Sequence, residues 1–334
     1  MTTLDESVQA TDLLGTSLVW DQHGCLPLVS DAPFHQLRQY ADAGVDFVSL
    51  NVGFDAIPWT QSLKVLAAFR RWILNHPDDY LLVDTAADVL NARGTARLAV
   101  SFDLEGSDAL DGDAALVSAY YRLGVRTMLL AYNNRNRAAG GCHDHDDTGL
   151  TSFGREVVGE MNRVGMLVDA SHCSRRATLD LFETSTAPVV FSHSNARAVH
   201  DHERNIDDEQ IRGCAATGGV IGINGVGIFL GDNDTRTATV VRHVEHVAGL
   251  VGPQHVGLGL DYVFDQDELA RFLADNPETF PAGKGYAEHH RHSFVEPSQI
   301  REVAVQLLAS GWPEHEVRGV LGENFLRVAS QVWK

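Results

Sequence analysis

Short β-rich apolar runs alternate with longer stretches of helical spacing from one end of this chain to the other, and few folds accept that rhythm. Strands are predicted at Ser17–Trp20, Asp46–Asn51, Leu98–Asp103, Thr127–Ala131, Met166–Ala170, Val189–Ser192, Val220–Ile223 and Val256–Leu260. Between them, Pro33–Ala43, Ala114–Leu123, Phe153–Val164, Arg175–Thr184, Asp208–Thr217 and Arg236–Val251 carry apolar residues at helix-like intervals. Strands joined by crossover helices pair in parallel. Eight such units in 334 residues predict an α/β protein, a (β/α)8 TIM barrel in a single domain over residues 1–334. The strands read as apolar on both faces, as staves between a filled interior and a helix layer should. A doubly wound open sheet is the competing topology. No GxGxxG opens the first βα turn and no GxxxxGK followed by Ser or Thr occurs, so a nucleotide-binding open sheet is disfavoured.

Two connections are longer than the rest and follow a strand, so both are predicted to be lid-like loops on one face of the barrel: Asn133–Thr151 and Phe264–Ser298. The formal charge of −19 argues against nucleic acid and anionic membrane surfaces as partners. Four dispersed cysteines, Cys25, Cys142, Cys173 and Cys214, make no disulfide framework. The opening MTTLDESVQATDLLG is polar and acidic, without the apolar region of a secretory signal, and the expected location is cytoplasmic.

The polar residues sit where the predicted strands end. The first strand runs into His23 and Cys25, the third ends at Glu105, the fourth at Tyr132 and Asn133, the fifth at His172, the sixth at His193 and the eighth at Asp261. In a barrel those ends converge on one mouth. Imidazoles, carboxylates and a thiol at a single rim have the composition of a metal site. His23 and Cys25, two residues apart, face the same side of an extended strand. His172 and His193, at equivalent ends of consecutive strands, can share an ion. Glu105 can bridge two ions, and Asp261 can hold a bound water and move its proton. Any one of these residues has a plain structural reading, as a cap or a hydrogen-bonded core residue. Together they are costly in a barrel interior unless paired or metal-bound.

Other candidates read as structural. Cys173 is expected in the core. His143 and His145 in the GGCHDHDD stretch, and His289, His290 and His292, read as solvated loop residues. His200 and His202 lie near the rim. Asp207 and Glu209 read as an N-cap and a first-turn acid. Ser192 and Ser194 are expected to face away from His193, and no GxSxG elbow supports a serine nucleophile.

These residues stand in words that resemble the membrane (renal) dipeptidases, the M19 metallopeptidases of the amidohydrolase-type barrels. The words are WDQHGCLPL, DLEGSDAL, LTSFGREVVGEMNRVGMLVDASHCS, PVVFSHSNARAV, ERNIDDEQI, VGLGLDY and GENFLRV, and they span nearly the whole chain in the family's order. The resemblance implies two zinc ions, with His23 on the first, Glu105 bridging, and His172 and His193 on the second. Asp261 would hold the bridging hydroxide, and Arg204 would take the substrate's C-terminal carboxylate, a role suited to a guanidinium fork. A homodimer is also implied. Without the family, Arg204 reads equally well as a surface ion pair among Glu203, Asp207 and Asp208.

Two words depart from the family. Its His-x-Asp is here His23-Gly24-Cys25, which puts a thiolate in place of a carboxylate ligand or leaves a one-metal centre on Glu105, His172 and His193. Its Leu-Thr-His-Asn is here Leu130-Ala131-Tyr132-Asn133, so a phenol would donate to the oxyanion. The resulting expectation is a zinc hydrolase cleaving the amide bond of a dipeptide, or of a similar small carboxylate-bearing amide, by metal-bound hydroxide. The alternatives are a hydrolase of N-acyl amino acids or cyclic amides, and a non-catalytic barrel relative acting as a binding protein.

Overall fold

The computed structural model describes residue 13, residues 15–289 and residues 291–334; the opening segment and His290 lie outside the described residues. Among the described residues ten strand segments form: β1 Trp20–Cys25, β2 Phe47–Phe54, β3 Tyr80–Leu82, β4 Leu98–Glu105, β5 Val125–Leu129, β6 Leu167–Asp169, β7 Val189–Val190, β8 Ile221–Ile223, β9 Val256–Leu258 and β10 Tyr262–Val263. β1, β2, β4, β5, β6 and β7 pair in parallel in that order. A parallel bridge between Phe191 and Ile221 carries the sheet to β8, which pairs with β9. β9 runs on into β10, and β10 pairs back onto β1 through Gly24 with Tyr262 and Cys25 with Val263. Eight staves thus close on themselves, as the alternation predicts. β3 is an added strand, alongside the first residues of β4.

The first strand differs from its expected position. It lies at Trp20–Cys25, not Ser17–Trp20, because Ser17 closes a turn onto Leu13 with both its amide and its hydroxyl. The polar look of DQHGC hides a strand in which Asp21 Oδ1 accepts from the Leu260 amide at 2.7 Å and Gln22 donates to Thr127. A second correction concerns the barrel interior, which is not uniformly apolar. One end is packed by Trp20 and Phe47, stacked at 3.7 Å, with Leu167, Val220 and Phe325 from the C-terminal helix Asn324–Val332. Above them the strands bury Gln22, Ser49, Ser101, Asp103 and Thr127. Gln22 Nε2 donates across the barrel to Thr127 Oγ1 at 3.2 Å, and Ser49 Oγ donates to Asp103 at 2.6 Å. Burial is tolerated because each group has a partner.

Close approach of strands needs two glycines. A Cβ on Gly222 would stand 2.0 Å from the Ser192 carbonyl oxygen, and one on Gly259 would stand 1.8 Å from the same atom. Gly222→Ala is therefore expected to destabilise the protein by about 3 kcal/mol, an overpacking penalty against backbone that cannot move aside. The midpoint of urea unfolding checks this; an unchanged midpoint would refute the packing argument. Among the described residues, no helix is long and apolar enough to cross a membrane.

Candidate metal centre

The local geometry of β1 sets the first part of the site. From Asp21 to Gly24 β1 advances three residues while β2 advances two, from Val48 to Leu50. This extra residue is a bulge, and it turns adjacent side chains the same way. Gln22 reaches Thr127, and His23, the next residue, also faces inward, with its ring stacked on His193 at 4.1 Å. Past the bulge, Cys25 returns to the same side, and its Sγ lies 3.4 Å from His23 Nε2 and 3.5 Å from Asp261 Oδ1.

Glu105, the last residue of β4, stands at the middle. Its Oε1 is 3.3 Å from His172 Nε2, 3.3 Å from His193 Nε2 and 3.5 Å from His23 Nε2. The two distal imidazoles face each other at 2.9 Å between Nε2 atoms. Of the residues expected at the strand ends, His23, Cys25, Glu105, His172, His193 and Asp261 are therefore brought together. The donor atoms of His23, Glu105 and His193 lie within 4.8 Å of one another, as do those of His23, Cys25 and Asp261. Three of the six non-glycine residues with positive φ among the described residues are here: Asn133, His172 and Asp261. Backbone strain of that kind persists where surrounding contacts over-determine it.

A supporting layer orients the rim. His172 Nδ1 donates to Asn133 Oδ1 at 2.7 Å, which leaves Nε2 as a lone pair aimed into the centre. His193 Nδ1 meets Ser192 Oγ at 2.7 Å. His23 Nδ1 lies 3.2 Å from Asp103 Oδ1. Asn51 Nδ2 donates to Glu105 Oε2 at 3.1 Å, and Asn224 Nδ2 donates to Asp261 Oδ2 at 3.0 Å. Asn133 stands among the strand-end residues of the sequence, whereas Asn51 and Asn224 carry no signal there. Asp103 had a signal, since it sits two residues before Glu105 and so shares its face. Ser192 is a correction: it touches the second nitrogen of the neighbouring ring instead of facing away.

Burial and neighbouring charges act differently on the donors. Burial, followed by the charges of Arg204 and His23, holds the His172 ring well below the ordinary imidazole range. Burial, His23 and Arg204 do the same to His193. Both are neutral and able to ligate. Burial opposes a charge on His23, but Asp103, Cys25 and Glu105 outweigh it and raise that ring well above its usual value. Burial raises the Glu105 carboxyl. Burial also pushes the Cys25 thiol up, so a nearby cation is what would make it a thiolate. Donor separations of 3.3–3.5 Å match atoms sharing a tetrahedral ion at about 2.1 Å each. The residues present therefore fit a divalent metal.

Tyr132 stacks on His172 with ring centroids 4.2 Å apart. Burial, then the charge of Glu105, raises its phenol well above the ordinary value, which keeps it an O–H donor. Arg204 is 3% exposed and is not a surface ion pair. Its expected acidic partners are taken: Glu203 by Lys284 and His143, Asp207 by Arg175, and Asp208 by His246. Arg204 Nη2 donates to the His193 carbonyl at 3.1 Å, and its Nε has no partner. His202 Nδ1 accepts from the Arg204 amide, fixing that loop.

The remaining candidates divide. Cys173 is buried in the core, and Asp207 caps the helix Asp208–Ala216, both as expected. His145 is exposed. His143 is not: its buried ring bridges Glu203 Oε2 at 3.2 Å and the Tyr286 hydroxyl at 2.9 Å. His292 is a further correction, for it lines the cavity above the centre. That cavity, of about 210 Å³, is bounded by Cys25, Glu105, Tyr132, His172 and Asp261 below and by side chains of the 264–294 excursion above. A second, polar cavity of about 460 Å³ reaches His172 from the other side and contains Arg204.

Comparison with known proteins bears on family and fold. The family model described as membrane dipeptidase, peptidase family M19, matches residues 55–271. Dipeptidase 3 of Rattus norvegicus is 33% identical over 278 residues, covering 81% of this chain and 52% of that protein. The chain thus spans about half the length of that curated relative. Among solved structures, an amidohydrolase from Pseudomonas aeruginosa superposes with a TM-score of 0.87 at 25% identity, over 97% of this chain and 99% of the other. A metallopeptidase from Rhodobacter sphaeroides, liganded with a phosphinate mimic of the dipeptide L-Ala-D-Ala, superposes with a TM-score of 0.77 at 21% identity, over 95% of this chain and all (100%) of the other.

Proposed function

The chain belongs to the membrane dipeptidase family, peptidase family M19, and from that premise we propose that it is a zinc-dependent hydrolase of a dipeptide or a similar small carboxylate-bearing amide. The observation that carries this reading is Glu105 at the centre of three imidazoles, with one oxygen 3.3–3.5 Å from His172, His193 and His23. His23, Cys25 and Glu105 would hold one ion, and Glu105, His172 and His193 a second. Bound there, the metal would supply Lewis acidity and lower the pKa of a water to about 7. Asp261 would take the proton of the attacking water on its carboxylate and deliver it to the leaving amine. Tyr132 would donate its O–H to the oxygen that gains charge at the scissile carbonyl. Arg204, buried with an unpartnered Nε, would clamp the carboxylate of the amine half. A clamp at that depth excludes peptides that continue past it. The dipeptide mimic held by the Rhodobacter sphaeroides protein is in keeping with such a substrate.

Elemental analysis of protein purified without chelators, together with a panel of L,L- and L,D-dipeptides and N-acyl amino acids, tests the proposal. Two zinc ions per chain and turnover of at least one such amide are expected. No bound metal and no turnover would leave the chain a non-catalytic relative. Cys25→Ser should lower the content from about two ions toward one, because serine offers no thiolate to the first site. Cobalt substitution should give a thiolate-to-metal absorption band in the native protein that Cys25→Ser lacks. An identical metal content and spectrum in both proteins would make Cys25 a bystander.

A further inference from the structure

The cavity above the centre has a chemical character that the metal residues do not dictate. Away from Cys25, Glu105, His172 and Asp261 its wall is mostly apolar, with Asn51, Gln61, Asp265, Glu268 and His292 as further polar members, and the apolar side chains are drawn from separate parts of the chain. Leu26 follows β1, Phe54 ends β2, Ile228 lies in the short helix Gly227–Leu230, and Leu269, Phe272 and Phe280 come from the excursion after β10. Rings meet edge to face there, Phe54 with Phe272 at 5.1 Å and Phe272 with Phe280 at 5.9 Å. Phe280 and Phe294 belong to one buried cluster with Ile228 and Tyr286. The excursion is tied down next to the centre: Asn133 Nδ2 donates to the Thr279 carbonyl at 3.1 Å, and Asn134 Nδ2 to that of Glu278 at 2.8 Å. Asn133 is the residue that orients His172. The apolar roof is therefore hydrogen-bonded to the residue that orients His172.

Arg204 is not among the residues of this wall. It opens onto the polar cavity, and His172 is common to both spaces. This partition gives the substrate a direction. The argument rests on the hydrolase reading above, in which the carboxylate on Arg204 belongs to the amine half of the amide. With the scissile carbonyl beside Glu105 and Asp261, the other half must project into the apolar cavity. We propose that the acyl half of the substrate carries a large apolar group, an aromatic or branched aliphatic side chain or acyl chain, and that this cavity selects for it. Desolvating such a group is worth about 100-fold in kcat/KM over a substrate lacking it.

The test compares amides that share the alanine amine half. L-Phe-L-Ala and L-Leu-L-Ala should exceed Gly-L-Ala by about 100-fold in kcat/KM. N-phenylacetyl-L-alanine, which lacks the amino group, tells the sources apart: turnover close to that of L-Phe-L-Ala assigns the cavity to acyl groups at large, and much lower turnover assigns it to aminoacyl groups. Leu269→Trp, which narrows the cavity, should cut the Phe-to-Gly ratio at least tenfold. Equal turnover of the Gly and Phe substrates would overturn the apolar subsite while leaving the hydrolase reading intact. Turnover of none would overturn that reading, and binding then decides the subsite. L-Phe-L-Ala and Gly-L-Ala are titrated calorimetrically into zinc-loaded Asp261→Asn protein. A Kd about tenfold lower for L-Phe-L-Ala supports the apolar subsite, and equal affinities reject it.

Discussion

Asp261→Asn should lower kcat by about a thousandfold while bound zinc stays at its native level, the loss expected when a positioned acid–base group is removed. The substitution is chosen for what it preserves. Asp261 sits at φ +55°, a left-handed conformation that Asn adopts as readily as Asp, so the backbone has no new strain to absorb. Its Oδ2 accepts from Asn224 at 3.0 Å, and the amide oxygen of Asn can accept in the same way. The remaining donors, His23, Cys25, Glu105, His172 and His193, are untouched. What disappears is the ability to take a proton from the attacking water and return it to the amine. Steady-state kinetics beside elemental analysis separates the outcomes. A near-native kcat would remove Asp261 from the mechanism, and lost metal would make it a ligand.

Arg204→Met should lower kcat/KM on carboxylate-bearing amides by about a hundredfold or more, the usual consequence of removing one partner of a desolvated charged contact. Methionine keeps the apolar stem beside Phe229, over whose ring the guanidinium carbon stands at 5.5 Å. Stability should move the other way. In the free protein the guanidinium is buried, makes one hydrogen bond to the His193 carbonyl and leaves Nε without a partner. Replacing such a charge with an apolar side chain is neutral or stabilising. An unchanged or higher Tm beside a collapsed kcat/KM is therefore the signature of a substrate clamp, whereas a falling Tm would mark Arg204 as structural. A C-terminally amidated substrate supplies the control: native and variant enzymes should handle it alike, and poorly.

Much of the site could be read in the sequence because it follows from one local regularity. Short apolar β-rich runs alternating with segments of helical spacing imply crossover pairing. Eight repeats imply closure, and closure brings strand ends together. His23, Cys25, Glu105, His172, His193 and Asp261 could be named from that reasoning because each lies at or just past the end of a stave. The dipeptidase words added roles to positions already singled out, and placed Arg204 where spacing alone left it even with a surface ion pair.

Tertiary structure decided everything that depends on a partner far along the chain. Gln22 finds Thr127 and His172 finds Asn133, 105 and 39 residues away, and nothing local marks either pair. The bulge in β1 shows only in its register against β2, so nothing in DQHGC marks it until that strand is beside it. His143 reads as solvated in a sequence of Gly, His and Asp, and is buried because Glu203 and Tyr286 arrive from later segments. The apolar roof draws on Leu26, Phe54, Ile228 and Phe280, each an ordinary hydrophobic residue in its own neighbourhood. Patterns along a chain record the geometry of one segment, and so they determined the barrel and its rim. Burial, hydrogen-bond partners and the shape of a cavity are properties of several segments at once, and only the packed fold assigns them.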